Sequence, residues 1–236
     1  MHRARAFFFV CAGLLCLALV VVCGLMAMVA MASADIPAPP NSTVPAFIDV
    51  VGTAGGVPDS RGLITIVVRD QDNRPIPGGP SCHVTLDFSA CTDMRLCRAQ
   101  PYGGTVDCPT MTLDGVPDGD GQIRFIVVGA ATNESTPVPG PGLNCVTIMA
   151  CGVVIGHATA VVYDENGAAA TASPQDAGVE VTDFRSLQKD WGSGIYYGRS
   201  DFTNTGPPLD PLDFRPWLRC WGDGTSISGC TTSFCP

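Results

Sequence analysis

The side chains best spaced to do chemistry in this chain are carboxylates in its last third. Glu180 stands three residues before Asp183, and Asp210 three before Asp213, so one acid pair recurs thirty residues later. A twelve-residue calcium loop places oxygen ligands at positions 1, 3, 5, 7, 9 and 12. With Asp183 as the twelfth residue, Glu180 falls at nine, the Gly178 carbonyl at seven and Asp176 at five. Positions three and one fall on Pro174 and Ala172, which carry no side-chain oxygen. In the second copy Asp210 and Asp213 take nine and twelve; Asp201, Thr203 and Thr205 join them if one extra residue bulges near Pro207 and Pro208. The expected ion is therefore Ca2+, with Asp176, Glu180, Asp183, Asp201, Asp210 and Asp213 as its ligands. Paired acids also serve glycosidases, but that chemistry works in a substantial cleft. A run of duplicated loop and helix offers little room for one.

Other catalytic constellations are missing from the sequence. Beyond the first residues only His83 and His157 remain, each in a strand-like run, where a histidine is far more often packed or solvated than basic. No Gly-x-Ser-x-Gly elbow, His-Glu-x-x-His helix or Gly-rich phosphate loop occurs. The expectation is a protein that is not an enzyme.

The N-terminus and the cysteines bear on location. Met1-His2-Arg3-Ala4-Arg5 precedes an uncharged stretch from Ala6 to Ala34 that closes on Ala32-Ser33-Ala34, the pattern of a signal peptide. The stretch is also long enough to span a bilayer, so an uncleaved anchor stays open. Either way the remainder is expected outside the cytoplasm. It keeps eleven of the thirteen basic residues and all twenty-two acids, hence a charge of 11 − 22 = −11. Such a surface repels phosphate backbones and argues against nucleic acid. Nine of the twelve cysteines lie beyond residue 34, and after export they are expected in disulfides. Nine is odd, so one thiol is left over; Cys220 with Cys230, bracketing a Gly-rich turn, is expected as a local bridge. The sequons Asn41-Ser42-Thr43 and Asn133-Glu134-Ser135 are attributed to chance in a chain that reads as bacterial.

The elements that must position these groups come in two kinds. A Pro-rich lead covers residues 35–45. From Phe47 to Tyr163 the pattern is strand: Leu63–Val68, His83–Phe88, Thr110–Leu113, Gln122–Val128, Cys145–Met149 and Val153–Val162 are β-rich, and several alternate apolar with polar. Pro75–Gly79, Pro117–Gly121 and Cys151-Gly152 supply turn residues. Short strands without helical period predict a mainly β fold, an antiparallel sandwich. Asp70 to Gly78 and Asp118-Gly119-Asp120-Gly121-Gln122-Ile123-Arg124-Phe125 resemble the turn-and-strand signatures of bacterial immunoglobulin-like domains of the invasin type. That resemblance covers residues 46–163 and implies an immunoglobulin-like stalk, spacer or adhesive module; the insert Cys91 to Cys108 departs from it.

Residues 164–175, rich in small residues and ending in Ser173-Pro174, read as a tether. After it, Asp183-Phe184-Arg185 with Trp191-Gly192 is echoed by Asp213-Phe214-Arg215 with Trp221-Gly222. Phe184, Leu187 and Trp191, then Phe214, Trp217, Leu218 and Trp221, fall at helical spacing, with the acids at helix starts and Gly192 and Gly222 at their stops. Two short helices that bury their aromatic faces, Trp191 against Trp221, are expected. The duplicated loop and helix resembles a degenerate type I dockerin, an EF-hand-like module of residues 176–236. That resemblance implies attachment to a cohesin-like partner, read by Val181-Thr182 and Pro211-Leu212, although both loops lack the family's usual acidic opening. The whole is read as an exported, non-catalytic structural or adhesive protein of the cell surface or exterior. The alternative is a carbohydrate-binding module that contacts a surface glycan; a row of exposed aromatics would favour it, but the β region offers few aromatics (Tyr102, Phe88 and Phe125), mostly in core-like strands.

Overall fold

Alternation of apolar and polar residues builds most of what is seen. The computed structural model describes residues 36–54, 57–80, 82–100, 102–132, 144–163, 181–193, 200–202, 209–222 and 234–235. The protein is mainly β. Its largest sheet has six strands: β1 (Phe47–Val50), β12 (Val153–Val162), β11 (Val146–Ala150), β5 (Val84–Asp87), β8 (Thr112–Gly115) and β7 (Thr105–Asp107), hydrogen-bonded in that order. All these neighbours run antiparallel except β1 and β12, which are parallel. Three two-stranded ladders accompany it: β4 (Leu63–Val67) with β9 (Gln122–Ile126), β6 (Met94–Leu96) with β10 (Gly129–Ala131), and β2 (Thr53–Ala54) with β3 (Val57–Pro58).

In β9, Ile123 and Phe125 are buried while Gln122 and Arg124 face outward, as a strand with one wet face must arrange them. The buried residues of β4 and β9 join those of β5, β8, β11 and β12 in one core around Ile66, Leu86, Phe88, Phe125 and Ile148. The turns follow their sequence chemistry. Cys151 and Gly152 both take positive φ (49° and 80°), as a two-residue hairpin between β11 and β12 requires. Asp70 and Asp118 share one device. Each carboxylate accepts the amides two and four residues on: Asp72 and Arg74 for Asp70, Asp120 and Gln122 for Asp118.

Disulfides staple this frame: Cys82–Cys151, Cys91–Cys145 and Cys108–Cys235. Cys97 is disulfide-bonded as well. The insert from Cys91 to Cys108 holds two strands, β6 and β7, which its sequence did not announce. Phe234 bridges Cys97, the Cys235 amide donates to the Leu96 carbonyl, and Arg98 Nε donates to the Phe234 carbonyl. The C-terminal residues are thereby sewn onto β6.

Two helices follow, α1 (Val181–Gly192) and α2 (Phe214–Gly222), ending at the expected glycines. The tether expected at 164–175 lies outside the described residues. Leu187 and Trp217 share a second apolar cluster with Val51, Ile126, Val161 and Tyr163 of the β region, so the helices pack on the sheet. The expectation that Trp191 is buried is corrected. Trp191 is half exposed, whereas Trp217 has no exposure. The residues of α1 that turn inward are Asp183, Ser186, Leu187 and Asp190, a stripe at helical spacing that is mostly polar. Trp191 flanks that stripe. The rings that meet are Phe184, Phe214 and Trp217, with centroids 5.4 to 5.9 Å apart, the offset spacing aromatic groups prefer. The side chain of Trp221 lies outside the described residues.

Candidate functional site

The acid pairs singled out in the sequence have a local role in the one copy that is described. Asp210 accepts the Leu212 amide at 2.6 Å, and the Asp213 carboxylate reaches back to the Asp210 amide at 2.8 Å. This is a reciprocal turn of the capping-box kind just ahead of α2: the first acid accepts the amide two residues on, and the acid three residues later accepts the first one's own N–H. The three-residue spacing that suggested calcium positions nine and twelve is also the spacing of this cap. Asp183 sits in the first turn of α1 and, like Asp201, is buried. Asp176, Glu180, Thr203 and Thr205 lie outside the described residues. Among the described residues no group of three or more Asp, Glu, His or Cys side chains is placed to hold a metal ion. One carboxylate oxygen of Asp210 and one of Asp213 each accept a backbone amide.

A buried polar contact the sequence did not mark lies close by. Ser200 Oγ donates to Asp190 Oδ2 at 2.9 Å, both residues being buried. Burial without a partner would be costly for either group. The pair fixes Ser200 against the inner face of α1.

The two histidines give no catalytic pair. Both are exposed, His83 just before β5 and His157 within β12, and His157 Nδ1 lies 3.4 Å from Thr147 Oγ1 across the β11–β12 ladder. A second electrostatic grouping, missed in the sequence, joins Asp49 of β1 to Asp59 and Arg61. Arg61 forms an ion pair with Asp59 and stacks over the Tyr163 ring at 6.0 Å. Burial pushes the Asp49 carboxyl up to about 6; Arg61 opposes the rise and Asp59 adds to it. Burial also acts to raise Asp59, but its hydrogen bonds from the Arg61 side chain and backbone outweigh that and hold it below the usual carboxylate range. Composition, spacing and motif give no hint of such a grouping, because it forms only when β1 and the short 3-10 turn Ser60–Gly62 come together.

A concave polar surface lies elsewhere, where the chain just before β7 crosses β9. Tyr102, Gly103, Val116, Asp118, Gln122, Ile123 and Arg124 line a groove of about 450 Å³, within the range of small-ligand sites. Ile123 is buried and forms its floor, while Tyr102 and Val116 are 46% and 54% exposed. Gly103 has φ +92°, and a Cβ there would stand 2.0 Å from the Arg124 carbonyl oxygen. Only glycine lets the backbone cross the strand this closely. The loop is clamped from behind by Gln100, whose amide nitrogen donates to the Cys97 and Val128 carbonyls while its oxygen accepts the Val128 amide. On the facing wall the Asp118 turn is closed by its own carboxylate, and Arg124 Nη2 donates to Gln122 Oε1 at 3.3 Å. The groove is a fixed surface with one exposed aromatic face, one carboxylate, one amide and one guanidinium. Of the three aromatics weighed as glycan contacts, Phe88 and Phe125 are fully buried and Tyr102 alone is exposed.

Compared with known proteins, the chain matches no family model, no curated protein and no solved structure.

Proposed function

We propose that this is an exported, non-catalytic structural or adhesive protein, built as an immunoglobulin-like β module with a dockerin-like helical pair for attachment outside the cell. The observation that carries the reading is the set of bridges Cys82–Cys151, Cys91–Cys145 and Cys108–Cys235. Bonds of this kind persist in oxidising compartments, and here they tie distant parts of a β frame into one stiff body suited to load or spacing. Among the described residues no helix is long and apolar enough to cross a membrane.

Attachment draws support from the helical pair. Leu212, at a position the dockerin resemblance assigns to partner reading, is 46% exposed, and Trp191 and Leu218 are also exposed. The partner proposed is a cohesin-like protein of the cell surface or of an extracellular assembly. The test is to immobilise the full chain, pass surface extract over it, and compare it with Leu212→Asp. Retention of a protein that Leu212→Asp loses, with an unchanged melting curve, supports attachment through the helices. Equal retention overturns it. Calcium enters this proposal through the loop acids and is decided by calorimetric titration of the same chain with calcium chloride. Binding heat with a rise in melting temperature assigns it a stabilising role; if neither appears, calcium is removed from the reading and the acids serve as helix caps.

A further inference from the structure

We infer that the Tyr102 groove is a binding site for a neutral saccharide. The inference rests on the exported, non-catalytic reading and supplies it with a ligand class. Four properties of the groove lead there.

The first is size. A volume of about 450 Å³ admits one or two sugar rings and is at the small end for a drug-sized ligand. The second is the exposed face of Tyr102 beside Val116. The C–H face of a pyranose is apolar and lies flat on an aromatic ring, while its hydroxyls remain at the rim for polar partners. An aromatic ring left half exposed on a loop clamped by Gln100 is already held for such stacking, so binding orders little that is loose.

The third is the polar set. Asp118, which lines the groove, uses Oδ1 for the Asp120 and Gln122 amides, so Oδ2 is the oxygen it has to offer a hydroxyl donor. Gln122 offers its amide N–H groups, and Arg124 offers guanidinium N–H groups beyond the one given to Gln122. A hydroxyl is donor and acceptor at once and can satisfy a carboxylate on one side and a guanidinium on the other. Planar side chains of both kinds around one aromatic face therefore suit adjacent sugar hydroxyls.

The fourth is charge, which decides the class. Asp118 and Arg124 cancel within the groove, and the exported chain carries 11 − 22 = −11. A phosphate, sulfate or uronate would meet one guanidinium and a repelling surface. A cation would meet Arg124. A neutral polyhydroxyl ligand carries neither penalty.

The full chain is to be run by affinity electrophoresis through gels containing hydroxyethylcellulose, xylan, glucomannan or soluble starch, with dextran sulfate as the anionic arm. Wild type should be retarded by at least one neutral polysaccharide, equally at roughly 0.1 and 1 M salt, because no ion pair is involved. Tyr102→Ala should weaken that retardation on the order of tenfold while keeping the wild-type melting temperature, since the side chain is exposed. Gln122→Ala is the second variant and should weaken it less. No retardation by any neutral polymer overturns the inference, as does retardation that Tyr102→Ala preserves. So does retardation confined to dextran sulfate and abolished by salt. Surface attachment that survives Tyr102→Ala while the gels show nothing sinks the saccharide site and leaves the adhesive reading standing.

Discussion

Asp49 carries the clearest pH signature at the level of single residues. Its carboxyl, raised from 3.8 to about 6 by burial, binds its proton more tightly in the folded than in the unfolded chain. The protonated form therefore favours folding. That contribution is fully present below pH 3.8 and is lost as pH rises through about 6, amounting to at most roughly 3 kcal/mol. Asp59 acts in the opposite sense: the stability it lends is present above the ordinary carboxylate range and disappears as pH falls through its lowered value. Urea denaturation of Asp49→Asn at about pH 5 and about pH 8 should find the variant more stable than wild type at the higher pH, with about half of the gap closed at the lower. An equal difference at both would refute the assignment. Gly103 yields a second expectation at this scale. Gly103→Ala forces a side chain into positive φ and against the Arg124 carbonyl, and should lower stability by about 2 kcal/mol or more, read as a fall in the denaturation midpoint.

Among the elements, α2 depends on a cap and on one indole. Asp213→Ala removes the reciprocal half of the capping-box turn and is expected to cost about 1 kcal/mol; helical circular dichroism during thermal melting measures it. Trp217 has no exposed surface and touches both Phe184 and Phe214. Trp217→Ala should cost on the order of 3 to 5 kcal/mol and release the helices from Val161 and Tyr163 before the sheet melts, visible as protease cleavage between the two regions. The elements also separate what the sequence announced from what it hid. β4, β5, β9, β11 and β12 were legible because β-branched and aromatic residues alternate there, or run unbroken, between turn residues. β6 and β7 were not: each is three residues long, too short for alternation to register, and their insert owes its shape to Cys91, Cys97 and Cys108. Both helices were legible from spacing and terminal glycines, yet the inner face of α1 was misread. Its buried stripe contains Asp183 and Asp190, whereas the helical spacing of Phe184, Leu187 and Trp191 placed Trp191 inside instead. The groove was the least legible feature. Tyr102 and Gln122 are twenty residues apart in sequence and meet only because Gly103 lets one segment lie against another.

For the molecule as a whole, the long bridges matter more than the number of strands. Cys108–Cys235 spans 127 residues of sequence, and joint replacement of both cysteines by serine is expected to cost about 2 to 5 kcal/mol. The loss should appear as a lower melting temperature under non-reducing conditions, and addition of reductant should produce a smaller further drop in the variant than in wild type. If the double variant melts with the parent, the bridge contributes nothing to the folded state.

That same bridge imposes an order of events on the newborn chain. Cys108 leaves the ribosome 127 residues ahead of its partner, and β6 waits as long for Phe234 and Cys235 to arrive and complete its hydrogen bonds. The body of the protein can collapse early, but its final knot is tied last. For that whole interval Cys108 travels as a reduced sulfur, open to the wrong mate, and a thiol–disulfide shuffling catalyst would find its work there.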